Sequence, residues 1–109
     1  MKNDFYKGVF ELFDKGGYCD SWETGMSNAD CIHHVLGRCS NSPYNAAPLN
    51  NFNDHMPEGR KNLPPLSSQA VKSKYLQKTK SHLDEIGYLP TEKDLEFLYL
   101  HKKYYETTT

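Results

Sequence analysis

Nowhere in this 109-residue chain is there an apolar run near the length of a membrane span. Its start, MKNDFYKGVF, lacks the continuous apolar segment of a signal peptide. Both absences lead to the expectation of a cytoplasmic protein without membrane contact. Cysteine is scarce and odd in number (Cys19, Cys31, Cys39), with no Cys-x-x-Cys pair, so neither a disulfide framework nor a zinc knuckle is indicated. Charge excess is missing too. A formal net charge of −1 argues against a broad basic surface for nucleic acid. A protein that touches a few phosphates around one site needs no such surface, but its non-specific affinity is then weak and salt-dependent.

What is present fits one soluble domain with a modest core. Eight tyrosines and five phenylalanines supply large rings, an efficient way to bury area in a small protein. No internal repeat is visible.

Phe5, Val9, Leu12 and Phe13 share one face of a helix over residues 4 to 14, with Asn3 or Asp4 as cap and Gly16-Gly17 as stop. Tyr18, Cys19 and Trp22 suggest a short strand, residues 24 to 28 a turn, and Cys31 to Leu36 a returning strand. An antiparallel hairpin is therefore expected. Residues 37 to 47, rich in Gly, Ser, Asn and Pro, read as an irregular loop. A short helix from Asn50 to about Met56 follows, capped by Asn50 or Asn51 and limited by Pro57 and Gly59. A long helix from Ser67 or Ser68 to Ile86 carries an inner stripe of Val71, Tyr75, Leu76, Thr79, Leu83 and Ile86. The last helix starts after Thr91, where Thr-x-x-Asp resembles a capping box. It is apolar on more than one face, so it is expected to be well covered or to serve as a contact surface. The two C-terminal helices are expected to pack as a hairpin.

Chemistry concentrates between residues 31 and 55, CIHHVLGRCSNSPYNAAPLNNFNDH. On extended backbone His33 and His34 point to opposite faces, so one can bind a metal while its neighbour faces a substrate. Metal-assisted phosphodiester hydrolysis calls for that division: a Lewis acid on the phosphate and a separate base for water. Taken alone, a His-His pair carries little. Here it is followed by Gly37-Arg38, by Asn45-x-x-Pro48-Leu49 and by His55.

The stretches CIHHVLGR, YNAAPL and NDH resemble the HNH endonuclease family, especially small phage-type members with HHxxGR, then NxxPL, then a histidine. The resemblance covers residues 18 to 61 and extends more loosely to the helical tail. It implies an α+β fold, a ββα-metal finger (18–61) between an N-terminal helix (1–17) and a helical C-terminal extension (62–109). It implies His33 and His55 as metal ligands, His34 as the general base, and Asn45 as the asparagine that braces the loop and positions the base. Arg38, Arg60 and Lys61 flank the site and are expected to contact phosphate. Mg²⁺ or Mn²⁺ is the implied ion, with Zn²⁺ or Ni²⁺ compatible with imidazole ligands. The implied partner is DNA, double-stranded first, with a homodimer or a protein partner as a source of specificity. The paired Cys-x-x-Cys knuckles of many members are missing. Asn41, Asn50, Asn51 and Asn53 crowd the same loop, and Asn45 is preferred because it lies just before Pro48-Leu49.

Other readings stand beside this one. Cys31, Cys39, His55 and one of the paired histidines could form a structural zinc site, although their spacing matches no common module. A non-catalytic, metal-stabilised module that binds DNA or protein, or a small regulatory protein engaging a host factor, would also suit the near-neutral charge. His82 and His101 read as surface residues, and Trp22 as core. Lys72, Lys74, Lys78 and Lys80 read as a solvated helix face.

Overall fold

The computed structural model describes residues 4–38, 40–56 and 58–106, with side chains from residue 8 onward. Helix α1 (Asp4–Phe13) is followed by strand β1 (Cys31–His34), strand β2 (Ala46–Leu49), helix α2 (Gln69–Glu85) and helix α3 (Glu92–Leu100). Three single helical turns, Pro43–Asn45, Asn51–His55 and Lys102–Tyr104, lie between and after them. The molecule is a small α+β unit. Among the described residues no helix is long and apolar enough to cross a membrane.

The sheet corrects the expected hairpin. β1 pairs antiparallel with β2, in the register Cys31 to Leu49, Ile32 to Pro48, His33 to Ala47 and His34 to Ala46. The stretch from Tyr18 to Trp22 is not a strand. It runs along the edge of β2 away from β1, where the Trp22 N–H donates to the Pro48 carbonyl at 2.9 Å, while the Asp30 N–H extends the β1 side by donating to the Leu49 carbonyl at 3.0 Å. β2 reads Ala-Ala-Pro-Leu, poor in strand-forming residues, and its second half lies beyond the predicted loop. Burial overrides that propensity: all four residues are buried, and Pro48 is tolerated in a sheet of two strands. β1 also stops two residues early, because Val35 and Leu36 turn toward Gly37, which adopts a positive φ of 82° that glycine tolerates best.

The expected caps form at α2, at α3 and at the Asn51–His55 turn. Ser68 caps α2 by accepting from the Val71 N–H at 3.1 Å. Thr91 and Asp94 form both bonds of a capping box at the start of α3. Asn50 caps the turn Asn51–His55 through the Asn53 N–H. That turn is π-helical: His55 N–H bonds the Asn50 carbonyl and Met56 N–H the Asn51 carbonyl. Asn3, Cys39 and Pro57, named above as cap, thiol and helix stop, lie outside the described residues.

The core gathers Val9 and Phe13 of α1, Ile32, Val35, Tyr44, all of β2, and Val71, Tyr75, Leu76 and Leu83 of α2. Ile86 is exposed at the C-cap of α2 rather than part of its inner stripe. Trp22 packs edge-on to Phe13 and donates from Nε1 to Thr79 Oγ1 at 2.7 Å, so it belongs to this core. His82 is half-buried against this core, whereas a surface position was expected. Its ring stacks on Phe13 at 5.0 Å and donates to the Leu12 carbonyl at 2.7 Å. The expected helical hairpin takes another form. α2 and α3 both pack on the Pro43–Asn45 turn, and α2 also meets the Lys102–Tyr104 turn beyond α3.

Candidate functional site

The end of β1 and the turn Asn51–His55 bring His33 and His55 together, with ring centroids 5.0 Å apart. Two imidazoles bound to one ion at about 2.1 Å each have centroids roughly 5 Å apart, so the spacing is one a shared metal can use. Nε2 of His33 is buried and, among the described residues, has no hydrogen-bond partner, a condition it shares with Asn28 Oδ1 and the Tyr105 hydroxyl. His55 Nδ1–H donates to Asn51 Oδ1 at 3.1 Å, which leaves the His55 Nε2 lone pair available. These donors fit a divalent ion. Among the described residues no group of three His, Cys, Asp or Glu forms a fuller cage, which removes support from a Cys31-containing zinc site as far as those residues go.

His34, one residue on, lies on the opposite side of the strand and is largely buried. Its Nε2 faces Asn41 Oδ1 at 3.4 Å. A cavity of about 240 Å³ nevertheless reaches it, lined by Ile32, His33, His34, Gly37, Arg38 and His55. All three imidazoles titrate below the usual histidine range. Burial is the main cause for His33, aided by the neighbouring His55, His34 and Arg60, and takes its pKa to about 4. Burial also lowers His34, against its bond to Asn41 and together with the Arg38 cation. It lowers His55 together with Arg60. At neutral pH the rings are therefore neutral, the form that ligates a metal or accepts a proton.

Asn45 is completely buried and fills its amide capacity within the loop after β1. Its Oδ1 accepts from the Leu36 N–H, and Nδ2 donates to the carbonyls of Gly37 and Ser40, each at 2.9 Å. It fixes the backbone between His34 and Asn41. Asn41, one of the crowded asparagines, is the one whose side chain meets His34.

The three basic residues divide. Arg38 is exposed and lines the cavity. Lys61 is exposed but outside that lining. Arg60 does not offer the expected phosphate contact: the residue is 5% exposed and its guanidinium bonds inward. It bonds the carbonyls of Asp54 (2.7 Å) and Pro64, the Tyr75 hydroxyl (3.1 Å), and Glu23, with which it forms an ion pair at 3.3 Å. A guanidinium committed in this way has a structural role, not one on phosphate. Lys74 completes the Glu23 cluster with a second ion pair at 3.2 Å.

Sequence reasoning missed the supports of the His55 turn. Asp54 Oδ2 accepts from Ser21 Oγ at 2.6 Å and from the Asn50 N–H at 3.1 Å, and Asp30 Oδ1 accepts from the Asn51 N–H at 2.8 Å. Gly59 presses on the same turn: a Cβ there would lie 2.1 Å from the Phe52 carbonyl oxygen and 2.7 Å from that of Asn53. The four-residue step from Asn51 to His55 was the one legible signal, since that spacing puts both on one helical face. Compared with protein-family models, with curated proteins and with solved structures, the chain finds no match.

Proposed function

We propose that this protein is a divalent-metal-dependent HNH-type endonuclease that hydrolyses DNA phosphodiester bonds, with a ββα-metal finger formed by β1, β2 and the Asn51–His55 turn. The observation that carries the reading is the meeting of His33 and His55 at 5.0 Å, with the buried Nε2 of His33 left unpaired beside a cavity. A polar atom kept dry and unbonded costs stability, and a site that needs its lone pair explains why it persists.

His33 and His55 would hold the ion, which when bound supplies Lewis-acid polarisation of a phosphate oxygen. With two imidazoles from the protein, such an ion would leave positions for water and phosphate oxygens. His34, neutral and on the other side of β1, accepts the water proton as the new P–O bond forms and the bridging P–O bond breaks. Asn45 keeps the loop that follows His34 in place. Arg38, at the cavity rim, holds a neighbouring phosphate.

His34→Ala is expected to abolish nicking of supercoiled plasmid while leaving metal binding largely intact, and His55→Ala to weaken both. Equal loss of metal affinity in the two variants would sink the assignment of roles. A second reading, a metal-stabilised binding module without catalysis, draws on the net charge of −1. Metal binding without nicking would identify it.

A further inference from the structure

Among the described residues, five of the nine exposed large apolar side chains, Ile86, Leu89, Leu95, Tyr99 and Leu100, fall within fifteen consecutive residues at the end of α2 and along α3. Leu95 is 53% exposed and Tyr99 68%. They lie four residues apart and so stand one above the other on the outward face of α3. Contiguous exposed apolar surface in a small protein marks a contact site more often than an accident.

The charges around that stripe say what fits it. Reading along it gives Glu92, Leu95, Tyr99 and Lys102, in steps of three, four and three residues. All four are exposed, acidic at one end and basic at the other. Lys102 lies just past the helix, yet its Nζ sits 4.9 Å from the centre of the Tyr99 ring, so it belongs to the same face. Glu96 and Lys103, also exposed, repeat the acidic-to-basic order beside the stripe. The acidic end also suits the helix N-terminus and the basic end its C-terminus, so the pattern strengthens the helix's own dipole direction.

We propose that α3 is the interface of a symmetric homodimer, in which two copies of the chain pack their α3 helices antiparallel. A two-fold axis through the level of Phe97 sets Leu95 against Tyr99 of the partner subunit. It sets Glu92 against Lys102 of the partner subunit, and each contact occurs twice. Parallel packing would instead align like charges along the whole length. The pattern is therefore complementary to itself only in the antiparallel sense. A nine-residue helix is short, so Ile86 and Leu89 at its approach extend the contact. The dimer is expected to be weak and concentration-dependent, because interfaces below the standard size rarely hold tightly. This inference is independent of the chemistry proposed for the histidines.

Sedimentation equilibrium of the full chain over a wide concentration range tests it. Wild type is expected to move from monomer to dimer with concentration. Leu95→Glu/Tyr99→Glu should remain monomeric with unchanged circular dichroism, since both side chains are exposed. Glu92→Lys alone and Lys102→Glu alone should each raise the dissociation constant about tenfold. The double exchange, Glu92→Lys/Lys102→Glu, should restore it, and a mixture of the two single variants should form a heterodimer. Wild type monomeric at every concentration would overturn the proposal and leave the face to a different protein. A dimer indifferent to the Leu95 and Tyr99 changes, or a double exchange no better than the single ones, would overturn it equally.

Discussion

Two polar clusters lie close together in this molecule, and they treat hydrogen bonding in opposite ways. Around Arg60 every strong group has a partner: the guanidinium meets Glu23, Tyr75 and the carbonyls of Asp54 and Pro64, and Glu23 also takes Lys74 and the Tyr75 hydroxyl at 2.6 Å. Burial pushes the Glu23 carboxyl up, yet the bonds from Tyr75, Lys74 and Arg60 outweigh it and hold its pKa below the usual range. At the end of β1, by contrast, His33 keeps a buried nitrogen with no hydrogen-bond partner among the described residues and meets the ring of His55 edge-on. The first cluster reads as fold maintenance. The second leaves a polar atom unpaired beside an open cavity, the feature on which the proposed metal site rests.

That contrast can be broken by substitution. Arg60→Ala takes from Glu23 its buried cation, leaving it the Tyr75 hydroxyl and the exposed Lys74, and strands the Asp54 and Pro64 carbonyls that the guanidinium bonds. It is expected to cost about 3–5 kcal/mol of stability by urea unfolding, the range for breaking a buried pair on one side. A loss below about 1 kcal/mol would mean that Arg60 is held far less tightly than the geometry indicates. Gly59→Ala and Asn45→Ala should come next, at about 2–3 kcal/mol each. The first drives a methyl group into the backbone of the His55 turn, and the second removes three side-chain bonds to the backbone of the loop after His34. Both should also weaken metal affinity or activity beyond what their stability loss explains, because each displaces a site element.

Asp94 offers a pH-dependent test at smaller scale. Burial raises its carboxyl, but hydrogen bonds from Ser42, Tyr88 and Thr91 prevail and leave its pKa below the ordinary value. The group therefore adds stability that is fully present above the unfolded carboxylate pKa of about 3.9 and disappears as pH falls through the lower folded value. Asp94→Asn should lower the melting temperature at pH 6, and the gap to wild type should close as the pH is taken toward 3. A gap constant with pH would show that the bonds do not depend on the charge.

His33→Leu is expected to have the smallest effect on stability, between a loss of about 0.5 kcal/mol and a slight gain, because it removes an unpaired buried nitrogen. Its effect on metal affinity, read by isothermal titration with Mn²⁺, should be large. A stability loss as great as that of Arg60→Ala would place His33 among the structural residues and erase the distinction between the clusters.

Much of this arrangement was legible in the residues. Ser68, Thr91 with Asp94, and Asn50 declared their caps through side-chain chemistry that acts within four residues, and the paired histidines declared opposite faces of an extended segment. Contacts set by tertiary packing were not legible. Ala46–Leu49 has little intrinsic preference for a strand and becomes one because the core covers all four residues. Arg60 looked like a phosphate ligand from its place near His55, and nothing local could reveal that Glu23 and Tyr75 close around it from 37 residues upstream and 15 downstream. Asn41 and Asn45 could not be separated by composition, because the path of the loop decides which of them meets His34.

The account's central claim is that the His33–His55 edge is a catalytic metal site with His34 as its base, and plasmid nicking tests it most directly. Supercoiled DNA would be incubated with wild type and His34→Ala in Mg²⁺, Mn²⁺, Zn²⁺ or EDTA. Metal-dependent nicking that EDTA stops, with the variant slower by about 10²–10⁴-fold, is the predicted result. Nicking by His34→Ala at the wild-type rate, or no nicking by wild type with any of these metals, would contradict it.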